Sequence, residues 1–189
     1  MNNIFTTDVN LPVWYAYDLL NGEKFSKTLE EKYDSDGKKG SDAEDLFCDR
    51  FFGFNYLVLH YTDQIKAQRQ GYDVILICNS ICYGFDIKGN LDTDGQIVIE
   101  YKPDGWLYNP EKQSEYIAHV CNESQWMVYY KRKYMQQFIK ESYIDFNYKD
   151  PKGLVYMQWL RYKNLPFVKT VDLRNETIIT GGQYNPSDY

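Results

Sequence analysis

A chain of 189 residues that is 43% apolar and 17% aromatic, with 19 tyrosines, has enough material for one real core, which excludes disorder over its bulk. It has no apolar run of about 18 residues to cross a bilayer and no basic, apolar start of a secretion signal, so a single soluble, cytoplasmic domain with no membrane partner is expected. The formal net charge of -6 opposes a generally nucleic-acid-attracting surface, but residues 126–174 carry ten Lys or Arg against four Asp or Glu, whereas residues 1–125 carry eleven against twenty-one.

Residues 1–40 read as a cover segment. Within them LPVWYAYDLL is a short strand or helix, KFSKTLEEKY a polar amphipathic segment, and DSDGKKG (34–40) a loop. Ser41 or Asp42 then caps a helix over 42–52, whose stripe at spacings of three and four holds Ala43, Glu44, Phe47, Cys48 and Phe51. Glu44 lies on that apolar side or at its edge; if buried it needs a cation, a metal-bound water or a donor. Asn55–Tyr61 reads as a buried strand and 63–71 as a polar connection.

Asp73–Cys78 is a β-branched apolar run, Asn79-Ser80 a turn, and Ile81–Lys88 a returning strand. With a two-residue turn Cys78 faces Ile81 and Asp73 lies opposite Asp86; with a three-residue turn it is one position off. The strand period of two puts Asp86 and Lys88 on one face in either case. Two opposed carboxylates destabilise a sheet unless something positive lies between them, and a hard divalent ion with Lys88 beside it would serve.

The order of these parts, a helix with Glu44, a strand, Gly-Tyr-Asp73 and then Phe-Asp86-Ile-Lys88-Gly, resembles the core of the PD-(D/E)xK nuclease superfamily. The segments IVIEYK, DGWLYNPEKQSEYIAHV and QWMVYYKRKYMQQFI are similar to those of small phage-encoded members, so the resemblance covers roughly residues 40–140. It implies an α/β (α+β) fold with a restriction-endonuclease-like central mixed sheet flanked by helices, in one domain over 41–175 with a tail over 176–189. It implies further a Mg²⁺- or Mn²⁺-dependent nuclease acting on nucleic acid, DNA before RNA. Asp73, Asp86 and the Ile87 carbonyl would hold the metal, Glu44 would act through water, and Lys88 would stand beside the nucleophile. The chain departs from the pattern in Tyr72, where proline is sometimes found, and in Asp rather than Glu at 86. A catalytically silent relative, serving as a phage accessory, structural or anti-defence binding protein, is the competing expectation; a homodimer or a protein partner is left open.

A second register is also available. Gly84-Phe-Asp86, the turn 92–95 and Ile97–Lys102 would form a hairpin in which Asp86 is the first acid and Glu100-x-Lys102 the second motif. Asp86 belongs to both readings.

Downstream, Glu115–Val120 and Gln125–Tyr130 read as strands, 131–143 as a helix with Tyr134, Met135, Phe138 and Ile139 in its stripe, and 154–160 and 167–173 as further strands. Lys131, Arg132, Lys133, Arg161 and Lys163, interleaved with aromatic residues, are expected to follow a phosphate backbone or else to form a solvated face over the core. His119 is read as a partnered strand residue. Cys78 and Cys82 are read as buried thiols, since no Cys/His metal spacing appears in the chain. There is no P-loop, GxGxxG or GxSxG motif, nor a Cys/His pair at catalytic spacing along the chain.

Overall fold

The strand-or-helix ambiguity near the start resolves as helix α1 (Val13–Leu20), which buries Ala16 and Leu19 and leaves Trp14 and Tyr17 outside. The computed structural model describes residues 4–24, 35–52, 56–89, 91, 95–102, 105–142, 144, 146, 148–149, 156–174 and 177–179. Residues 25–33 of the expected amphipathic segment and residues 180–189 of the expected tail therefore lie outside the described residues. Helix α2 (Ser35–Phe52) begins earlier than its caps suggest, so most of the expected loop is helical and the expected boundary at residue 40 falls inside a helix. Glycines at 37 and 40 disfavour helix locally, and burial of Ala43, Phe47 and Phe51 offsets that.

Strand β1 (Leu57–His60) is followed by a short helix, α3 (Ile65–Arg69), inside the polar connection, then β2 (Val74–Cys78) and β3 (Ile81–Lys88). After β4 (Gln96–Tyr101) come β5 (Tyr116–Cys121), β6 (Trp126–Lys131) and helix α4 (Arg132–Ser142). The chain closes with β7 (Tyr148–Lys149), β8 (Tyr156–Arg161), β9 (Lys169–Asp172) and β10 (Thr177–Ile179). The last strand falls within the segment expected to be a tail.

Among the described residues seven strands form one sheet in the order β1-β2-β3-β5-β6-β9-β10. Its β3–β5 pair is parallel and the other neighbours are antiparallel. The fold is a single mixed α/β domain, a central mixed sheet flanked by helices. What the sequence did not reveal is a second, three-stranded antiparallel sheet, β4-β8-β7.

The two faces of the large sheet are covered differently. One packs under α2, and Phe5 inserts there among Phe51, Tyr56, Tyr83, Phe85, Tyr116 and Tyr129 with ring centroids 5.0–5.8 Å away, so the N-terminal segment is part of the core. On the other face one apolar cluster joins α1 and α3 to β1–β3, and a second joins β4, α4 and the Trp106–Leu107 turn to β5 and β6. Residues 84, 86 and 88 of β3 alternate onto this second face, in the seam between its two covers.

Gly84 is required there because the edge of the Tyr72 ring lies against it. A Cβ at position 84 would stand 2.8 Å from Tyr72 Cδ1 and closer still to Cε1, and Tyr72 is itself buried. Gly84→Ala is expected to lower stability by about 1–3 kcal/mol through overpacking. Urea denaturation checks this; an unchanged midpoint would show that the ring yields freely.

Candidate active site

The hairpin turn sets the register on which the site depends. Asn79 and Ser80 both adopt positive φ (50° and 62°), as a two-residue type I′ turn requires. Cys78 therefore pairs with Ile81 and Val74 with Phe85, and one step further Asp73 lies opposite Asp86. The ladder ends there. Asp73 N donates to Phe85 O at 2.9 Å, but the next inward-facing donor, Ile87 N, finds the Asp73 side chain, Oδ2 at 2.6 Å, in place of a main-chain carbonyl. The strands fork at this point, and β3 continues alone beside β5.

Asp86 is 2% exposed and is held by cations on both oxygens. Lys88 Nζ pairs with Oδ1, and Arg132 Nη2 lies 3.4 Å from Oδ2. Arg132 is anchored in turn by Ser114, whose carbonyl accepts from Nε at 3.0 Å and whose hydroxyl accepts from Nη2. Lys88 keeps a quarter of its side-chain surface exposed and stands over the Trp106 ring, 5.6 Å from its centroid. Lys112, which the sequence reading missed, spans Gly71 and donates to Gln68 O at 2.7 Å. It faces the same charges, and burial lowers its pKa while Asp86 opposes that shift. No local pattern marked it; it sits in a polar loop distant in sequence from Asp86.

Burial pushes the Asp73 carboxyl up to about 8, and the Asp86 charge opposite adds to the shift; Lys88 and the Ile87 amide only partly oppose it. Asp73 is therefore largely protonated at neutral pH. For Lys88 burial works against the ammonium, but Asp86 and Asp73 outweigh it and raise its pKa.

Of the other expected residues, Glu44 stays close enough for its charge to reach Asp73, yet its carboxylate is committed to His60, with Nε2 at 2.9 Å from Oε2. Glu100 and Lys102 are not gathered: β4 pairs with β8, placing Glu100 opposite Met157, while the neighbours of β3 are β2 and β5. The second register is thus not formed. Among the basic residues, Lys131 and Arg132 are buried and cannot follow a phosphate backbone. Lys131 pairs with Glu115 at 2.8 Å and Asp8 at 3.0 Å, and Arg132 belongs to the Asp86 cluster. Lys133, Arg161 and Lys163 are exposed, Lys133 being paired with Asp8. His119 is partnered as expected: it is fully buried, Nε2 lies 2.7 Å from Tyr130 Oη, and burial pulls its pKa down to about 3.

No family model, characterised protein or solved structure matches the chain. The chemistry therefore rests on the geometry. Among the described residues no group of three or more His, Cys, Asp or Glu is arranged to hold a metal ion. Mg²⁺, however, commonly takes one or two carboxylates with the rest of its shell from waters and phosphate, and the opposed pair Asp73 and Asp86 meets that minimum with hard oxygen donors. Among the described residues no helix is long and apolar enough to cross a membrane.

Proposed function

We propose that the protein is a divalent-metal-dependent phosphodiesterase acting on nucleic acid, DNA in preference to RNA. The observation that carries this reading is the facing of Asp73 and Asp86 at a strand fork with Lys88 two residues on, partly exposed beside them. Asp73, Asp86 and the Ile87 carbonyl are the groups that would hold Mg²⁺ or Mn²⁺, which when bound would polarise the phosphate and lower the pKa of a water. Asp73 has to release its proton before both its oxygens can act as anionic ligands. Lys88, partly exposed beside Asp86, would neutralise charge developing on a scissile phosphate. A surface groove of about 740 Å³ lined by Tyr101, Tyr108, Lys133, Lys140 and Glu141 offers aromatic faces and cations together, which suits a nucleic-acid strand.

One observation favours a second reading, a silent member that binds without turnover. Lys88 and Arg132 already pair with the two oxygens of Asp86, so that carboxylate is compensated without a metal.

Incubation with single- and double-stranded DNA and RNA, in Mg²⁺, Mn²⁺ or EDTA, separates the two. Cleavage is expected with metal, is abolished by EDTA, and falls on the order of 10²-fold or more in Asp86→Asn and Lys88→Met. Absence of cleavage on every substrate, together with no heat of Mg²⁺ or Mn²⁺ binding in calorimetry, would overturn the enzyme and leave the binding protein.

A further inference from the structure

Positions 97, 99 and 101 share one face of β4. Ile97 and Ile99 are buried in the core, whereas Tyr101, at the end of the strand, runs past it and is 50% exposed. Its ring is braced by Tyr108, edge-on at 5.6 Å and 73°, and by Phe146 at 5.0 Å and 31°. Tyr101 and Tyr108 line the groove of about 740 Å³ together with Lys133, Gln136 and Lys140 of α4. Two elements connect this groove to the Asp86 cluster. The turn that carries Tyr108 starts at Trp106, whose ring lies against Lys88 Nζ, and Gln136 Nε2 fixes that turn to α4 by donating to Leu107 O at 2.6 Å. Helix α4 itself starts at Arg132, on Asp86, and reaches Lys140 eight residues later, about 12 Å along its axis.

Building on the reading of the protein as a phosphodiesterase, we propose that its substrate is single-stranded where it is bound, with an unpaired base stacked on the Tyr101–Tyr108 pair and the adjoining phosphates against Lys133 and Lys140. Bases inside a duplex have both faces covered by their neighbours, so a tyrosine ring stacks only on an unpaired one. A ring already braced by two others has little freedom left to lose on stacking. Lys133 and its partner Asp8 are both more than half exposed, so a phosphate replaces Asp8 at small cost. Glu141, also on the groove, follows Lys140 at the end of α4 away from Asp86 and accepts from Gln137 Nε2 at 2.8 Å.

Because the groove lies outside the carboxylate pair, binding is measured in EDTA, where cleavage does not intrude. The full chain is titrated against fluorescein-labelled oligothymidylate and oligouridylate of about 15 nucleotides, a length that spans one site of this kind, and against a blunt DNA duplex of the same length. Fluorescence anisotropy is expected to show a single strand bound on the order of tenfold more tightly than the duplex. Tyr101→Ala and Tyr108→Ala should each weaken that binding on the order of tenfold, the loss of one stacked base, while Tyr101→Phe, which keeps the ring, should not. Lys140→Gln should lower the slope of log affinity against log salt by about 0.7. Thermal melts show that each variant is folded, and Tyr101, at the rim, carries the test if Tyr108→Ala is not. Duplex bound as tightly as single strand, no binding to any strand, or a folded Tyr101→Ala variant that binds like the wild type would overturn the proposal. Tyrosine-dependent binding with no cleavage in Mg²⁺ or Mn²⁺ would keep this site and sink only the enzyme; duplex cleavage that Tyr101→Ala leaves unchanged would do the reverse.

Discussion

Alanine at position 86 is expected to lower the free energy of unfolding by about 3–5 kcal/mol, the cost of leaving buried cations without their counter-charge. Asp86 is the anion shared by Lys88 and Arg132, and Arg132 is only 7% exposed, so its guanidinium cannot turn to water without disturbing Ser114 and the loop that carries it. Asp86→Asn should lose less, because an amide oxygen still accepts from Arg132. Urea denaturation at pH 7 checks both values. A loss under about 1 kcal/mol for the alanine variant would mean that the cations are solvated well enough to do without Asp86. The same reasoning explains why the asparagine variant is the one to use for activity: an unfolded alanine variant would be inactive for reasons unrelated to chemistry.

Stability should fall as pH rises from about 4 to about 8 on account of Asp73. Its folded pKa is raised to about 8 from an ordinary value of 3.8, first by burial and then by the Asp86 charge, so across this window the folded chain keeps a proton that the unfolded chain has lost. Below the window both states are protonated and above it both are ionised, so the dependence is confined to it. His60 contributes a slope of the same sign at higher pH. Burial works against its charged form, but the neighbouring Cys48 and Glu44 side chains outweigh this and raise it to about 10, giving stability that is full below about 6.5 and lost through 10. Subtracting one denaturation series from another isolates Asp73. Asp73→Asn should match the wild type near pH 4 and become progressively more stable than it toward pH 8. Parallel curves for the two proteins would show that Asp73 is ionised in the fold at all these pH values. Saturating Mg²⁺ should flatten the wild-type slope and leave the asparagine variant unaffected if the metal takes Asp73 as proposed.

The legible part of the site was the part written in consecutive residues. A β-branched run, a short turn and a returning strand announce a hairpin with Asp86 and Lys88 on one face, and the two-residue turn at Asn79-Ser80 then sets the register that puts Asp73 opposite Asp86. The stripe of α2 likewise placed Glu44 beside Phe47 and Phe51. What it could not show was the partner. His60 is 16 residues away in another element, and nothing in its neighbourhood signals a carboxylate. Glu100 and Lys102 misled because their strand has strong local β character. The Asp-Gly turn before it suggested a hairpin with β3, whereas the pairing that forms is with β8, more than 50 residues on.

The basic segment makes the same point about charge. A run such as Lys131-Arg132-Lys133 reads as surface because isolated cations avoid burial, and that inference fails where anions from elsewhere meet them. Asp8 and Glu115 enclose Lys131, and Asp86 with Ser114 encloses Arg132. By itself, then, the sequence determined most of the central strands and the sharing of one strand face by Asp86 and Lys88, which follow from local periodicity, while the mixed α/β class was what the resemblance implied. Only the tertiary structure decided which charges neutralise Asp86, where Glu44 meets a histidine, and that β4 leaves the main sheet. Those outcomes depend on contacts between segments far apart in the chain, whose energies no local pattern records.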